Sequence, residues 1–93
     1  MTIGVLELEL FIPESNSLKD RRMVLHSLKA RLRNEFNIAV TQIDEGDKWQ
    51  KAVLAVVGVE RSRQQMNSTL SRIVNFIESS GTVSLIGHRI EML

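Results

Sequence analysis

Three observations predict an α+β fold with the element order βαββαβ: an alternating apolar pattern at the N-terminus, two apolar stripes at helical spacing that each follow a serine cap, and an acidic, glycine-centred turn between two further strand-like segments. Across residues 2–12 the even positions Leu6, Leu8, Leu10 and Ile12 are apolar, while Glu7 and Glu9 interrupt the odd ones. That is the period of a strand with one buried face. Pro13 ends it, having no N–H to give a ladder. Ser17 followed by Asp20 forms a capping-box-like start, and Leu18, Leu25, Leu28, Leu32 and Phe36 then recur at helical spacing. Residues 38–44 read as a second strand, Glu45-Gly46-Asp47-Lys48 as a turn, and residues 49–59 as a third strand. Ser62 with Gln65 repeats the cap, Met66, Leu70, Ile73, Val74 and Ile77 make one stripe, and Ser79-Ser80-Gly81 closes the second helix. Residues 82–93 form the last strand. Short connections, with no linker, repeat or low-complexity tract, predict a single domain over residues 1–93: a ferredoxin-like split sandwich, with a four-stranded antiparallel sheet and both helices on one face.

In this topology the first and third strands are central, and the third fails to alternate. Ala52, Leu54 and Val56 suit the helix side, yet Val53, Ala55 and Val57 are apolar as well, giving the open face an apolar centre to which Val5 and Phe11 add and which Glu7 and Glu9 border. An apolar patch of this kind is normally covered by something. A second copy of the chain is the simplest cover, which predicts a homodimer through the sheet face or an edge.

Composition narrows the function classes. The only aromatics among the 93 residues are Phe11, Phe36, Phe76 and Trp49, so the core is aliphatic. The absence of cysteine excludes disulfides, thiolate metal sites and a cysteine nucleophile, and suits a reducing cytoplasm. No signal-peptide pattern is present, and no apolar run approaches the roughly 20 residues of a membrane span, so a cytoplasmic protein without membrane association is expected.

The charge is polarised although the total is only +1. Lys19, Arg21, Arg22, Lys29, Arg31 and Arg33 place half of the 12 basic residues in the first helix, against Asp20 and Glu35. At about 100° per residue, Lys19, Arg22, His26, Lys29 and Arg33 fall within a sector of about 80°, flanking the apolar sector. A ribbon of this kind suits a phosphate backbone, held by charge with little sequence preference. Lys and Arg also serve surface helices simply as solvated, helix-favouring residues. Arg21 differs, falling within the apolar sector among Leu18, Leu25, Leu28 and Leu32. Either it pairs with a carboxylate of the hairpin, Asp44 or Asp47, or it presents its guanidinium to a ligand near the helix entrance.

Other candidates carry less chemistry. Asp44-Glu45-Gly46-Asp47 lacks the spacing of an EF-hand and reads as a solvated hairpin tip. His26 and His88 lie on different elements with no cysteine or second histidine beside either, which argues against a metal or a general base. Glu7 and Glu9 share a strand face without a nucleophile, so polarity of the open sheet accounts for them. The central strands lack the aromatics on which RNA-recognition motifs stack bases, and no glycine-rich phosphate loop follows the first strand, against an acylphosphatase-like hydrolase. No catalytic residue, cofactor, metal or small-molecule substrate is expected.

Ser17-Leu18-Lys19-Asp20-Arg21-Arg22 resembles the SLK[ED][KR]R signature of the bacterial YlxP-like proteins. The opening Ile3-Gly4-Val5-Leu6, the stretch Arg31-Leu32-Arg33-Asn34-Glu35-Phe36-Asn37-Ile38, and the hairpin Asp44-Glu45-Gly46-Asp47-Lys48-Trp49-Gln50 agree with the same family. The resemblance implies a small ferredoxin-like protein without assigned activity, often encoded beside translation-initiation and ribosome-maturation factors, and by that association an RNA or ribosome partner. Gln42 departs from the glutamate expected there and removes one possible partner of Arg21. The expected function is thus a non-enzymatic accessory protein that binds RNA or the ribosome through Lys19, Arg22, Lys29 and Arg33, with Arg21 and Arg31 supporting. The alternative is a protein-interaction module that works through the apolar sheet face.

Overall fold

The computed structural model describes residues 1–13, 16–44 and 50–93. The hairpin tip at residues 45–49, with Asp47 as second candidate partner of Arg21, lies outside the described residues. The elements run β1 (Thr2–Phe11), α1 (Leu18–Glu35), β2 (Ile38–Gln42), β3 (Lys51–Glu60), α2 (Arg63–Glu78) and β4 (Ser84–Met92). All strand pairs are antiparallel, in the order β2-β3-β1-β4. This is the ferredoxin-like arrangement expected, with β1 and β3 central.

Both helices start as their caps dictate. Ser17 Oγ accepts the Asp20 N–H at 3.1 Å, while the Asp20 carboxylate turns back to the Asn16 N–H at 3.2 Å. Ser62 Oγ accepts the Gln65 N–H at 3.2 Å. After α2 the chain reverses through Gly81 at φ +77°, a conformation that costs glycine little.

The core lies between one sheet face and the helices. Leu6, Leu8 and Leu10 of β1 and Ala52, Leu54 and Val56 of β3 meet Leu25, Leu28 and Leu32 of α1 and Met66, Leu70, Ile73 and Ile77 of α2. Each fully buried leucine contributes on the order of 2 kcal/mol from its removal from water. Gly4 and Gly58 oppose one another on the central strands, and together they form a notch for Met66. A Cβ on Gly4 would lie 2.6 Å from Met66 Cγ, so the side chain that anchors the start of α2 requires a bare backbone beneath it.

The strand of residues 38–44 is shorter than its pattern implies, for a local reason. Ile43 N–H still donates to the Val53 carbonyl at 2.9 Å, but Val53 N–H donates to Asp44 Oδ1 at 2.9 Å instead of a main-chain carbonyl. A side-chain acceptor has replaced the next rung of the ladder.

The open face keeps its apolar content: Val5 opposes Val57, and Ile3 opposes Val59, with Val57 and Val59 39% and 54% exposed. Glu7 and Glu9 adjoin this apolar patch on the same face, but not at an edge of the sheet. They stand on a central strand, opposite Ala55 and Val53 on one side and Arg89 and Gly87 on the other.

Candidate nucleic-acid interface

Leu25, Leu28 and Leu32 fix the roll of α1 by burying one side of it, and the 100° step then decides where every charge on the helix goes. Lys19, Arg22, His26 and Arg33 are exposed and Lys29 is half-buried, so the ribbon expected from the wheel stands at the surface. Among the described residues, none of Lys19, Arg22, Lys29 or Arg33 pairs with a carboxylate. Arg33 is anchored differently, its Nη2 donating to the Val40 carbonyl at 3.0 Å. Because Ile43 N–H is directed at β3, alternation turns the Val40 carbonyl to the free edge of β2. The ribbon therefore ends over that edge, with Arg33 capping an acceptor the sheet leaves open.

Arg21 takes the other fate. It is 6% exposed, its Nε donates to the Lys51 carbonyl at 3.0 Å, and its Nη2 reaches Asp44 Oδ2 at 2.8 Å. The carboxylate partner is Asp44, one of the two anticipated. Burial pushes the Asp44 carboxyl up, but the N–H of Val53, the amide of Gln42 and the Arg21 guanidinium outweigh it and hold the group below its ordinary value. Gln42 earns its place here: its Nε2 donates to Asp44 Oδ1 at 3.0 Å, where a glutamate would set a second negative charge beside the first. Far from weakening the site, this departure supports it. Arg21 thereby clamps the first turn of α1 to the tip end of the β2–β3 hairpin, and its guanidinium is spent within the fold.

Arg31 and one arginine that the sequence pattern did not single out form a second basic feature. Arg31 Cζ lies 5.2 Å from the centroid of Phe76, and Arg72 Cζ lies 5.4 Å from that of Phe36. The two rings meet edge to face, 5.7 Å apart at 88°. Stacking restrains each guanidinium over a ring while its N–H edge stays available to an acceptor. No sequence period marks Arg72, because the contact joins the end of α1 to α2 across the helix layer.

On the opposite face Glu7, Glu9, Val53, Gly87, His88 and Arg89 line a shallow depression of about 280 Å³. Arg89 Nη2 bonds to Glu7 Oε2, so the glutamate pair is partly neutralised by a neighbouring strand. His26 and His88 are both exposed, on separate elements. Among the described residues no cluster of three or more His, Cys, Asp or Glu is arranged to hold a metal ion, and no helix is long and apolar enough to cross a membrane.

The family described as "Protein of unknown function (DUF503)" matches residues 3–90. The chain belongs to this family. The uncharacterized protein YlxP of Bacillus subtilis (strain 168) is 36% identical to this DUF503 chain over 77 residues, which cover 83% of the chain and 84% of the relative. Among solved structures, the de novo designed protein Foldit4 superposes with a TM-score of 0.53 at 9% identity, over 100% of this chain and 97% of that one. A mutant of SnoaB, a cofactor-independent oxygenase from Streptomyces nogalater, gives 0.50 at 10% identity, over 99% and 90%. At such identities the likeness is one of fold alone, and DUF503 itself carries no named activity.

Proposed function

We propose that this DUF503 protein is a non-enzymatic, cytoplasmic accessory protein that binds RNA through the surface of α1. The observation that carries this reading is the exposed ribbon of Lys19, Arg22, Lys29 and Arg33, whose cations have no carboxylate partner among the described residues. Arg31, held over Phe76, extends the positive surface beyond the ribbon, and Arg72 adds to it. Arg21 supports binding indirectly, by fixing the helix that presents the others. Phosphates are the natural acceptors, since each cation that neutralises one releases a counterion. The family resemblance brings ribosomal RNA forward as the RNA to test.

Binding to ribosomal RNA fragments, followed by fluorescence anisotropy, falls steeply between about 50 and 200 mM salt on this reading. Reversing Lys19, Arg22, Lys29 and Arg33 to glutamate abolishes it while circular dichroism stays unchanged. A companion variant that keeps Arg33, and with it the cap on Val40, separates loss of charge from loss of that hydrogen bond. Undiminished binding in both variants overturns the proposal.

A second reading rests on the exposed Val57 and Val59 of the open sheet face, which suit a protein partner. Affinity capture from lysate with and without nuclease separates the two: RNA-dependent capture supports the ribbon, and nuclease-resistant capture lost on Val57→Asp supports the face.

A further inference from the structure

The two edges of the sheet are finished differently. β2 has five residues, and one of its outward carbonyls is capped by Arg33. β4 has nine, and nothing among the described residues covers it. The Leu93 N–H and carbonyl both bond to Ile3, at 2.8 and 3.4 Å. By alternation, Glu91, Arg89 and Gly87 also turn their main-chain groups toward β1, and the row of His88, Ile90 and Met92 points outward. No donor or acceptor among the described residues meets that row. Beside it stand Ile86 and Ile90, 50% and 39% exposed. A long edge with exposed branched residues is a template for another strand.

From this edge we infer that the chain self-associates by pairing β4 with β4 of a second copy, antiparallel about a two-fold axis through Ile90. Charge selects the register. With the axis at Ile90, Arg89 faces Glu91 of the second copy and Glu91 faces its Arg89, both pairs on the open face. Moving the axis by one residue sets Arg89 against Arg89 or Glu91 against Glu91. Placing it at His88 runs the pairing through Ile86, where the register shift between Glu9 and Leu10 interrupts the strand. Only the Ile90 register joins two complementary charge pairs to uninterrupted main-chain pairing.

The same register answers what the single chain leaves open. Glu91 lies opposite Val5, and no cation bonds to it among the described residues. Arg89 already holds Glu7, so the second copy's Glu91 completes a Glu–Arg–Glu row across the joined sheets. On the helix side, Ile90 meets Ile90 and loses its exposure. The product is an eight-stranded sheet whose two α1 ribbons lie at its far ends, since β2 and β4 are opposite edges.

The test uses two charge variants of the full chain. Glu91→Arg sets positive residues at both 89 and 91, and Arg89→Glu sets negative ones at both. Analytical ultracentrifugation at high micromolar concentration should find the unaltered chain dimeric, each variant alone weakened in self-association by roughly tenfold or more, and the equimolar mixture dimeric again. Circular dichroism checks that both variants are folded; the positions are exposed, and should either variant fail, Ile90→Lys replaces it as the disrupting change. A monomeric unaltered chain overturns the inference. So does a dimer that survives in each variant alone, which assigns the contact to the open face, or a mixture that stays monomeric.

Discussion

Arg21 and Arg22 are neighbours with the same side chain, and they belong to different parts of the protein. Arg21 is enclosed by Asp44 and the Lys51 carbonyl at the tip end of the hairpin, whereas Arg22 stands in the open with the cations of the ribbon. The difference is one step of about 100° around a helix whose roll is set by three leucines. Position on the wheel, more than residue type, decides whether a charge holds the fold together or remains available to a partner. A charge enclosed with its counter-ion is costly to disturb; a solvated one is nearly free to change.

The largest effect expected from this contrast is at Asp44. Asp44→Ala leaves the buried Arg21 guanidinium and the Val53 N–H without their acceptor, and urea denaturation should report a loss of about 3 kcal/mol. Arg21→Ala should approach that loss, while Arg22→Ala should shift stability by no more than about 0.5 kcal/mol and act on RNA binding instead. Equal losses in the two arginine variants would dissolve the distinction. The pH dependence is a smaller effect. The Asp44 carboxyl is held below its ordinary value in the fold, so its contribution is complete above the unfolded value of about 3.8 and is lost as pH falls through the lower folded value. Urea midpoints measured down from about pH 5 should fall less steeply in Asp44→Asn than in the unaltered chain. Ser17→Ala should cost about 1 kcal/mol, since it removes the acceptor that starts α1 and so loosens the element that both arginines share.

Much of this contrast is legible in the sequence, because helical and strand periods are local arithmetic. The wheel separates Arg21 from the ribbon before any coordinate is known, and the even positions of β1 give its buried face. What escapes the pattern is long-range or concerns competition between side chain and main chain. The early end of β2 depends on the Asp44 carboxylate intercepting the Val53 N–H, which no hydropathy period records. Arg72 becomes notable only when the fold brings Phe36 and Phe76 together. Glu7 and Glu9 read as border residues because polarity suggests a margin; the strand order places them mid-sheet, where Arg89 of a neighbouring strand offsets one of them. In the sequence Gln42 reads only as a missing charge; in the fold it donates to the Asp44 carboxylate.

The notch of Gly4 and Gly58 has a consequence in oxidation chemistry. Met66 fills it with no exposed surface, whereas Met1 and Met23 are 88% and 61% exposed. A peroxide reaches Met1 and Met23 in the folded protein but reaches Met66 only when α2 lifts from the sheet. Sulfoxide formation at Met66, timed by mass spectrometry against the two exposed methionines, is therefore a clock for the undocking of that helix. Once oxidised, the enlarged polar side chain has no room to return over two glycines, so a single event would leave a lasting mark of a transient opening.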